Sequence, residues 1–163
     1  DGDTFALGSL SVRVIHTPGH TPADVTYVIG DAAFVGDTLF IEDYGTARVD
    51  FPGGSAEDMY RSIQKLYELP DDTRVFVGHD YLPKGGRTEY RFETTIGAEK
   101  AHNVQVKAGV PPDEFAAKRN ARDKTLGMPR LIIPSIQVNI RAGELPPKED
   151  NGVAYLKIPL NAL

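Results

Sequence analysis

Strands interleaved with helices predict an α/β or α+β chain of 163 residues. Three features carry that reading: an alternating run at 9–15, two apolar runs split by a glycine-led turn, and a capped amphipathic helix at 55–69. Taken in order, Ser9–Ile15 sets Ser9, Ser11 and Arg13 against Leu10, Val12 and Val14, the period of a half-buried strand. Thr17-Pro18-Gly19 ends it, because that tripeptide continues neither strand nor helix. Val25–Ile29 and Ala32–Val35 follow, and Gly30-Asp31 between them predicts a hairpin of the II′ or I′ type. Ser55–Leu69 reads as a helix: Ser55 as N-cap with Asp58 three residues on, then Met59, Ile63 and Leu66 at helical spacing, and Pro70 just past the end. Arg74–Val77 is a short buried-type strand and 83–87 a loop. The stretch 93–106 has helical character weakened by Gly97, and Pro111-Pro112-Asp113 opens a further helix to about Leu126. In that last helix Lys118, Arg119, Arg122 and Lys124 are expected on a solvated face. The tail from Leu131, punctuated by Pro134, Pro146, Pro147 and Pro159, is expected to be irregular with short strands.

Composition narrows the function. Hydrophobic residues make up 40% and charged residues 25%, the balance of a folded domain rather than a disordered chain. Apolar runs such as 25–29 and 131–133 are too short to cross a bilayer, and no basic-then-apolar stretch marks a signal peptide. A cytoplasmic location and no membrane partner are therefore expected. The net charge of −5 disfavours a nucleic-acid partner. With no cysteine, disulfides and thiolate metal sites are excluded, and any metal must rest on nitrogen and oxygen donors.

Four histidines are present: His16, His20, His79 and His102. His16 and His20 have helical ligand spacing, but Thr17-Pro18-Gly19 forbids the helix, so the spacing alone carries nothing. Strand geometry says more. If the 30–31 turn is tight, residue 25 lies opposite residue 36, and Asp37 returns to the end of the hairpin where His20 sits. His79 likewise follows a short strand through Gly78. Two histidines and an aspartate on loops at strand ends suit zinc or non-haem iron. The competing reading is that Asp37 caps a turn and the histidines are incidental loop residues.

The wording of these loops adds a resemblance. His16-Thr17-Pro18-Gly19-His20-Thr21, Gly36-Asp37-Thr38-Leu39-Phe40 and Gly78-His79-Asp80-Tyr81, in that order, resemble the later metal-binding motifs of the metallo-β-lactamase superfamily. Gly45-Thr46-Ala47-Arg48-Val49-Asp50-Phe51 and Val138-Asn139-Ile140-Arg141-Ala142-Gly143 are similar to segments of its ETHE1-like persulfide dioxygenases, and the likeness runs from His16 to Leu163. The resemblance implies an α/β fold, the C-terminal portion of an αββα sandwich, filling 1–163 with the group's C-terminal extension at roughly 104–163. It implies one Fe(II) per chain held by two histidines and an aspartate, oxidising glutathione persulfide to sulfite and glutathione with dioxygen. His20 and Asp37 would be ligands and His16 structural. His79 would stand behind the ligands in the dioxygenases but bind a second metal in dinuclear members. Asp50 would orient a ligand or the Arg48 loop, and His102 matches no motif.

For substrate, Arg48, Tyr81 and Arg141 stand out, since an arginine clamps a carboxylate in two-point fashion and glutathione carries two. Tyr81 is the candidate catalytic group, two residues past His79; the plainer alternatives are that Arg48 pairs with Asp50 or Asp43 and that Tyr81 is a packed aromatic. The superfamily's upstream His-X-His-X-Asp-His motif, which supplies the first iron histidine, has no counterpart here, and the chain opens at Asp1 without an initiator methionine. A missing N-terminal segment of the same domain is therefore the expected partner, beside the persulfide, dioxygen and a possible second copy in a homodimer. Bacterial relatives of this group are in some cases fused to rhodanese domains. Two rivals remain: a glyoxalase II-type thioester hydrolase with two Zn(II) per chain held by His20, Asp37 and His79, and a non-catalytic half-domain.

Overall fold

A computed structural model describes residues 1–160, so the last three positions of the expected extent, 161–163, lie outside the described residues. The chain divides into two compact units, Asp1–Thr125 and Leu126–Leu163. The first is a six-stranded sheet in sequential order with three helices: β1 (Thr4–Leu7), β2 (Leu10–His16), β3 (Val25–Ile29), β4 (Ala32–Phe34), α1 (Ala56–Tyr67), β5 (Arg74–Phe76), β6 (Glu93–Thr95), α2 (Ile96–His102) and α3 (Pro112–Asp123). Every neighbouring pair is antiparallel except β4–β5, which is parallel and joined through α1. That crossover makes the unit α/β, as predicted. The second unit carries α4 (Ile132–Asn139).

The hairpin forms in the predicted register, with Ile29 opposite Ala32 and Tyr27 opposite Phe34. Gly30 takes φ 59 while Asp31 does not enter the left-handed region, the signs of a type II′ turn whose twist matches its strands. α1 starts where its cap predicts: Ser55 is extended and its hydroxyl accepts from the Asp58 N–H at 3.1 Å. Its apolar stripe, Met59, Ile63 and Leu66, is fully buried against Ala33, Val35 and Val75 of the sheet region, Ile96 of α2 and Phe115 of α3. The other sheet face is aromatic and open: Phe34 stacks on Phe76 with centroids 5.1 Å apart, Phe5 meets Tyr27 edge-on, and Phe5, Tyr27 and Phe34 are each 41% to 49% exposed.

Three expectations are corrected. Residues 93–95 are a strand rather than the start of a helix, because Thr94 and Thr95 pair with Val75 and Arg74, and the Thr95 hydroxyl then caps α2. Gly97 is there for proximity: its N–H donates to Asp71 O at 2.8 Å, and a Cβ would lie 3.1 Å from that turn. Second, Arg119 is buried, not on a solvated face. It pairs with Asp123 one turn on and donates to Thr46 O and Gln105 Oε1, partners that charge patterning along α3 cannot reveal. Third, the tail contains α4. Pro134 falls in its first turn, where a missing N–H costs no helical hydrogen bond. Among the described residues, no helix is long and apolar enough to cross a membrane.

Under α2 lies Glu99, fully buried, with one carboxylate oxygen accepting from Asn103 Nδ2 at 2.6 Å and the other without a hydrogen-bond partner. Burial pushes its carboxyl up to about 8, and the nearby Glu42 charge acts in the same direction. Below pH 4.5 folded and unfolded chains both hold this proton; from there to about pH 8 only the folded chain does, so stability falls across that window. Glu99→Gln, which keeps the acceptor for Asn103 without the charge, is expected to raise the urea midpoint over the parent far more at pH 8 than at pH 5.

Candidate metal centre

The parallel pairing of β4 with β5 builds the centre. Ala32 faces Arg74 and Phe34 faces Phe76, and the same offset carried past the strand ends puts Asp37 opposite His79. Two further bonds carry it there, Val35 N–H to Phe76 O at 3.1 Å and Gly78 N–H to Gly36 O at 3.2 Å. Glycine is required at both loop positions. Gly36 sits at φ 53, and a Cβ on Gly78 would meet Gly36 O at 3.1 Å and Asp37 Oδ1 at 3.4 Å.

His20 arrives from β2 on a loop bound to α1. Pro18 O accepts from the Ser62 hydroxyl at 2.6 Å and Gly19 O from Ser55 N–H at 2.9 Å. A Cβ on Gly19 would fall 2.6 Å from Met59 Cα, so only glycine allows this approach. Asp24 closes the loop by accepting from both the N–H and the hydroxyl of Thr21. His16 lies outside the centre; its Nε2 bonds Pro22 O at 3.0 Å.

His20 Nδ1 is 2.7 Å from Arg48 O. A carbonyl oxygen only accepts, so Nδ1 carries the hydrogen, and Nε2 is turned to Asp37 Oδ2 at 3.8 Å. On the other side His79 Nε2 stands 3.5 Å from Asp37 Oδ1, an oxygen buried without a hydrogen-bond partner. Two imidazole nitrogens on either side of a carboxylate whose buried oxygen has no hydrogen-bond partner are donor types that zinc or iron takes. Among the described residues no group of three or more histidine, cysteine, aspartate or glutamate side chains closes into a full metal site. What is present is a partial donor set.

A family model described as the metallo-beta-lactamase superfamily matches residues 1–79, the stretch that carries His20, Asp37 and His79. Over its whole length the chain is 56% identical to a "Probable metallo-hydrolase" of Burkholderia pseudomallei (strain 1710b), and over its whole length 56% identical to "Glyoxylase B2" of Dictyostelium discoideum. The crystal structure of ETHE1 from Myxococcus xanthus superposes with a TM-score of 0.77 at 37% identity, covering 88% of this chain and 59% of that one. Residues 1–79 thus belong to a metallo-beta-lactamase superfamily domain. Members of that superfamily are generally enzymes that depend on zinc or iron. The chain spans 58% and 56% of the two curated relatives' lengths.

Around the superfamily's donor set, the remaining candidates divide. Asp50 grips the Arg48 side chain at two points, 2.6 and 2.7 Å, and Arg48 holds the Asp50 carboxyl below the usual range. It is thus the Arg48 carbonyl, not the Asp50 carboxylate, that receives the His20 hydrogen. Phe51 turns its ring toward His20, edge-on at 5.1 Å, with the Arg48 guanidinium over it at 5.0 Å. Tyr81 stacks on Tyr44 at 5.1 Å, touches Phe40 edge-on and lies beside the His79 ring, forming one wall of the centre. Burial pushes its phenol up, helped by the Asp37 charge, so it stands as a neutral donor. Arg87 fastens this wall, donating to Asp80 and Asp43 together. Arg141 lies in the second unit, just after α4, where it donates to Gln137 O at 2.7 Å; His102 is exposed at the end of α2.

Phe40, Tyr44, Phe51 and Arg87 escaped the sequence reading. Only the aromatic residues of Phe40–Tyr44 beside Asp37 offered a local signal. Gly19→Ala is expected to force the His20 loop off α1 and cost about 1–3 kcal/mol, the usual penalty for overpacking, read as a lower urea midpoint.

Proposed function

We propose that the protein is a mononuclear non-haem Fe(II) dioxygenase that oxidises glutathione persulfide to sulfite and glutathione, with one iron per chain. The observation that carries this is an asymmetry between the two histidines. The His20 ring is braced through Nδ1 by a main-chain carbonyl, the arrangement that holds metal-binding histidines in one tautomer. Among the described residues nothing hydrogen-bonds the His79 ring, whose side chain is 58% exposed. This suits His20 and Asp37 as iron ligands with His79 behind them. The likeness to ETHE1 of Myxococcus xanthus supports the same choice.

Iron so held supplies open coordination positions and electrons for dioxygen. The chain's own groups do the rest. Asp37 presents a buried carboxylate oxygen without a hydrogen-bond partner, and His20 is fixed in the tautomer that leaves Nε2 free to bind. Phe40, Tyr44 and Tyr81 make an apolar wall that limits water, and the Tyr81 hydroxyl offers a proton to a sulfur or oxygen of the substrate. Arg48 is the group for a glutathione carboxylate, exchanging part of its Asp50 contact for substrate. The remaining histidine ligand is assigned to an N-terminal segment of the same sandwich. The open aromatic sheet face around Phe5, Tyr27 and Phe34 suits such a covering layer. A cytoplasmic, bacterial, homodimeric enzyme without nucleic-acid or membrane partners completes the proposal.

A glyoxalase II-type hydrolase with two Zn(II) is the second reading. It is favoured by Asp37 turning one oxygen to each histidine, as a bridging carboxylate does, and by the name Glyoxylase B2 on a relative. Metal analysis and oxygen uptake with glutathione persulfide, on the full-length protein, decide between them. About one iron per chain with uptake is expected; two zincs with thioester hydrolysis would establish the hydrolase, and neither activity in intact protein would leave a non-catalytic half-domain. Asp37→Ala is expected to abolish metal binding. His79→Ala is expected to retain most of the iron, whereas loss of half the metal identifies a dinuclear centre.

A further inference from the structure

The peptide between Arg48 and Val49 is held on both sides. Its carbonyl accepts from His20 Nδ1 at 2.7 Å, and its N–H donates to Asp123 Oδ2 at 2.8 Å. In a planar trans peptide these two groups point in opposite directions, so Asp123, the peptide and the imidazole form one line of hydrogen bonds. We infer that Asp123 of α3 is a positioning residue for the metal centre, acting on His20 through the Arg48–Val49 peptide. The inference rests on the reading of His20 as a metal ligand.

The surroundings of Asp123 support a role beyond stability. Asp123 and Arg119 are 3% and 4% exposed, so a full ion pair is buried under the loop that carries Arg48. Burying two charges generally stabilises a fold no better than apolar side chains of the same volume would. Here the pair is also imperfectly satisfied, since Arg119 Nε has no hydrogen-bond partner. What the pair does achieve is orientation. Arg119 donates to Thr46 O at 3.1 Å and to Gln105 Oε1 at 3.0 Å while its other arm fixes Asp123 Oδ1. Gln105 in turn donates to Tyr44 O at 3.0 Å. The loop from Tyr44 to Val49 is thereby clasped at three main-chain positions by side chains of the α2–α3 region, and Asn103 adds a fourth by donating to Gly45 O at 3.2 Å.

The chemistry of the line is that of a carboxylate–histidine–metal relay with one peptide inserted. A carboxylate accepting from the N–H polarises the amide, which makes the carbonyl a stronger acceptor, and hydrogen bonds in series reinforce one another. A stronger acceptor at Nδ1–H fixes the ring plane and increases the electron density that Nε2 offers a cation. His79 has no such support among the described residues, so the device would act on one ligand only.

The test uses the full-length protein and Zn(II) alone as probe. Asp123→Asn keeps an acceptor of the same shape for Val49 N–H but removes the charge. It is expected to weaken Zn(II) binding about tenfold in competition with a chromophoric chelator, and to move the His20 Nδ1–H proton resonance of the metal-free protein upfield. Val12→Ala, a core truncation at the end of β2 away from His20, controls for general loosening and is expected to change neither reading. Unchanged affinity and an unmoved His20 resonance in folded Asp123→Asn would overturn the inference, as would an equal loss of affinity in Val12→Ala. The parent protein gives an answer independent of any variant's folding. Zn(II) binding at Nε2 is expected to shift the Val49 amide resonance, and a stationary Val49 amide in protein that binds Zn(II) would also overturn it. If the parent binds no Zn(II) at all, it is the assignment of His20 as a ligand that fails.

Discussion

The centre depends on one parallel strand pair. Antiparallel neighbours in this sheet bring each loop back beside its own starting strand, which cannot set Asp37 next to a residue about forty positions later. β4 and β5 run the same way because α1 carries the chain across the sheet between them, and their ladder continues beyond the strands through Val35 and Gly78. Asp37 and His79 therefore sit just past the carboxyl ends of neighbouring parallel strands, where an open α/β sheet places its loops together. Gly36 and Gly78 let the two backbones run that close.

α1 serves both the core and the centre. Its buried stripe of Met59, Ile63 and Leu66 holds the sheet, and its first turn and Ser62 grip the His20 loop at Pro18 and Gly19. Packing and ligand placement are thus the same interaction seen from two sides. Polar groups do the corresponding work under the 44–49 loop, where Asn103, Gln105, Arg119 and Asp123 all end on its main chain. Two of the buried oxygens left unpaired among the described residues, Asp37 Oδ1 at the centre and Glu99 Oε1 in α2, mark where the fold carries electrostatic tension. The first of these faces the His79 ring across 3.5 Å. The second is relieved by a proton, since burial keeps the Glu99 carboxyl neutral well above its ordinary range.

Much of this was legible because it is local. The 30–31 turn set the hairpin register, and Ser55 set the start of α1, since both are decided within a few residues. The return of Asp37 to the His20 end followed from that register alone. What failed did so for non-local reasons. Thr94 and Thr95 read as helix until β5 offers them a pairing edge; Pro134 reads as a breaker until it is seen to occupy a first turn; and Arg119 reads as solvent-facing until Thr46, Gln105 and Asp123 surround it.

By itself the sequence determined the hairpin and the start of α1, the nitrogen and oxygen character of any metal site, and the three loops that carry His20, Asp37 and His79, because periodicity, turn chemistry and the absence of cysteine need no partner across the fold. Only the tertiary structure decided that Asp37 lies between two imidazoles, that the Arg48 carbonyl sets the His20 tautomer, and that a carboxylate on α3 stands behind that carbonyl. Each of these is a hydrogen bond or electrostatic contact between positions 17 to 74 residues apart, and such contacts exist only once the sheet and α1 have brought those positions together.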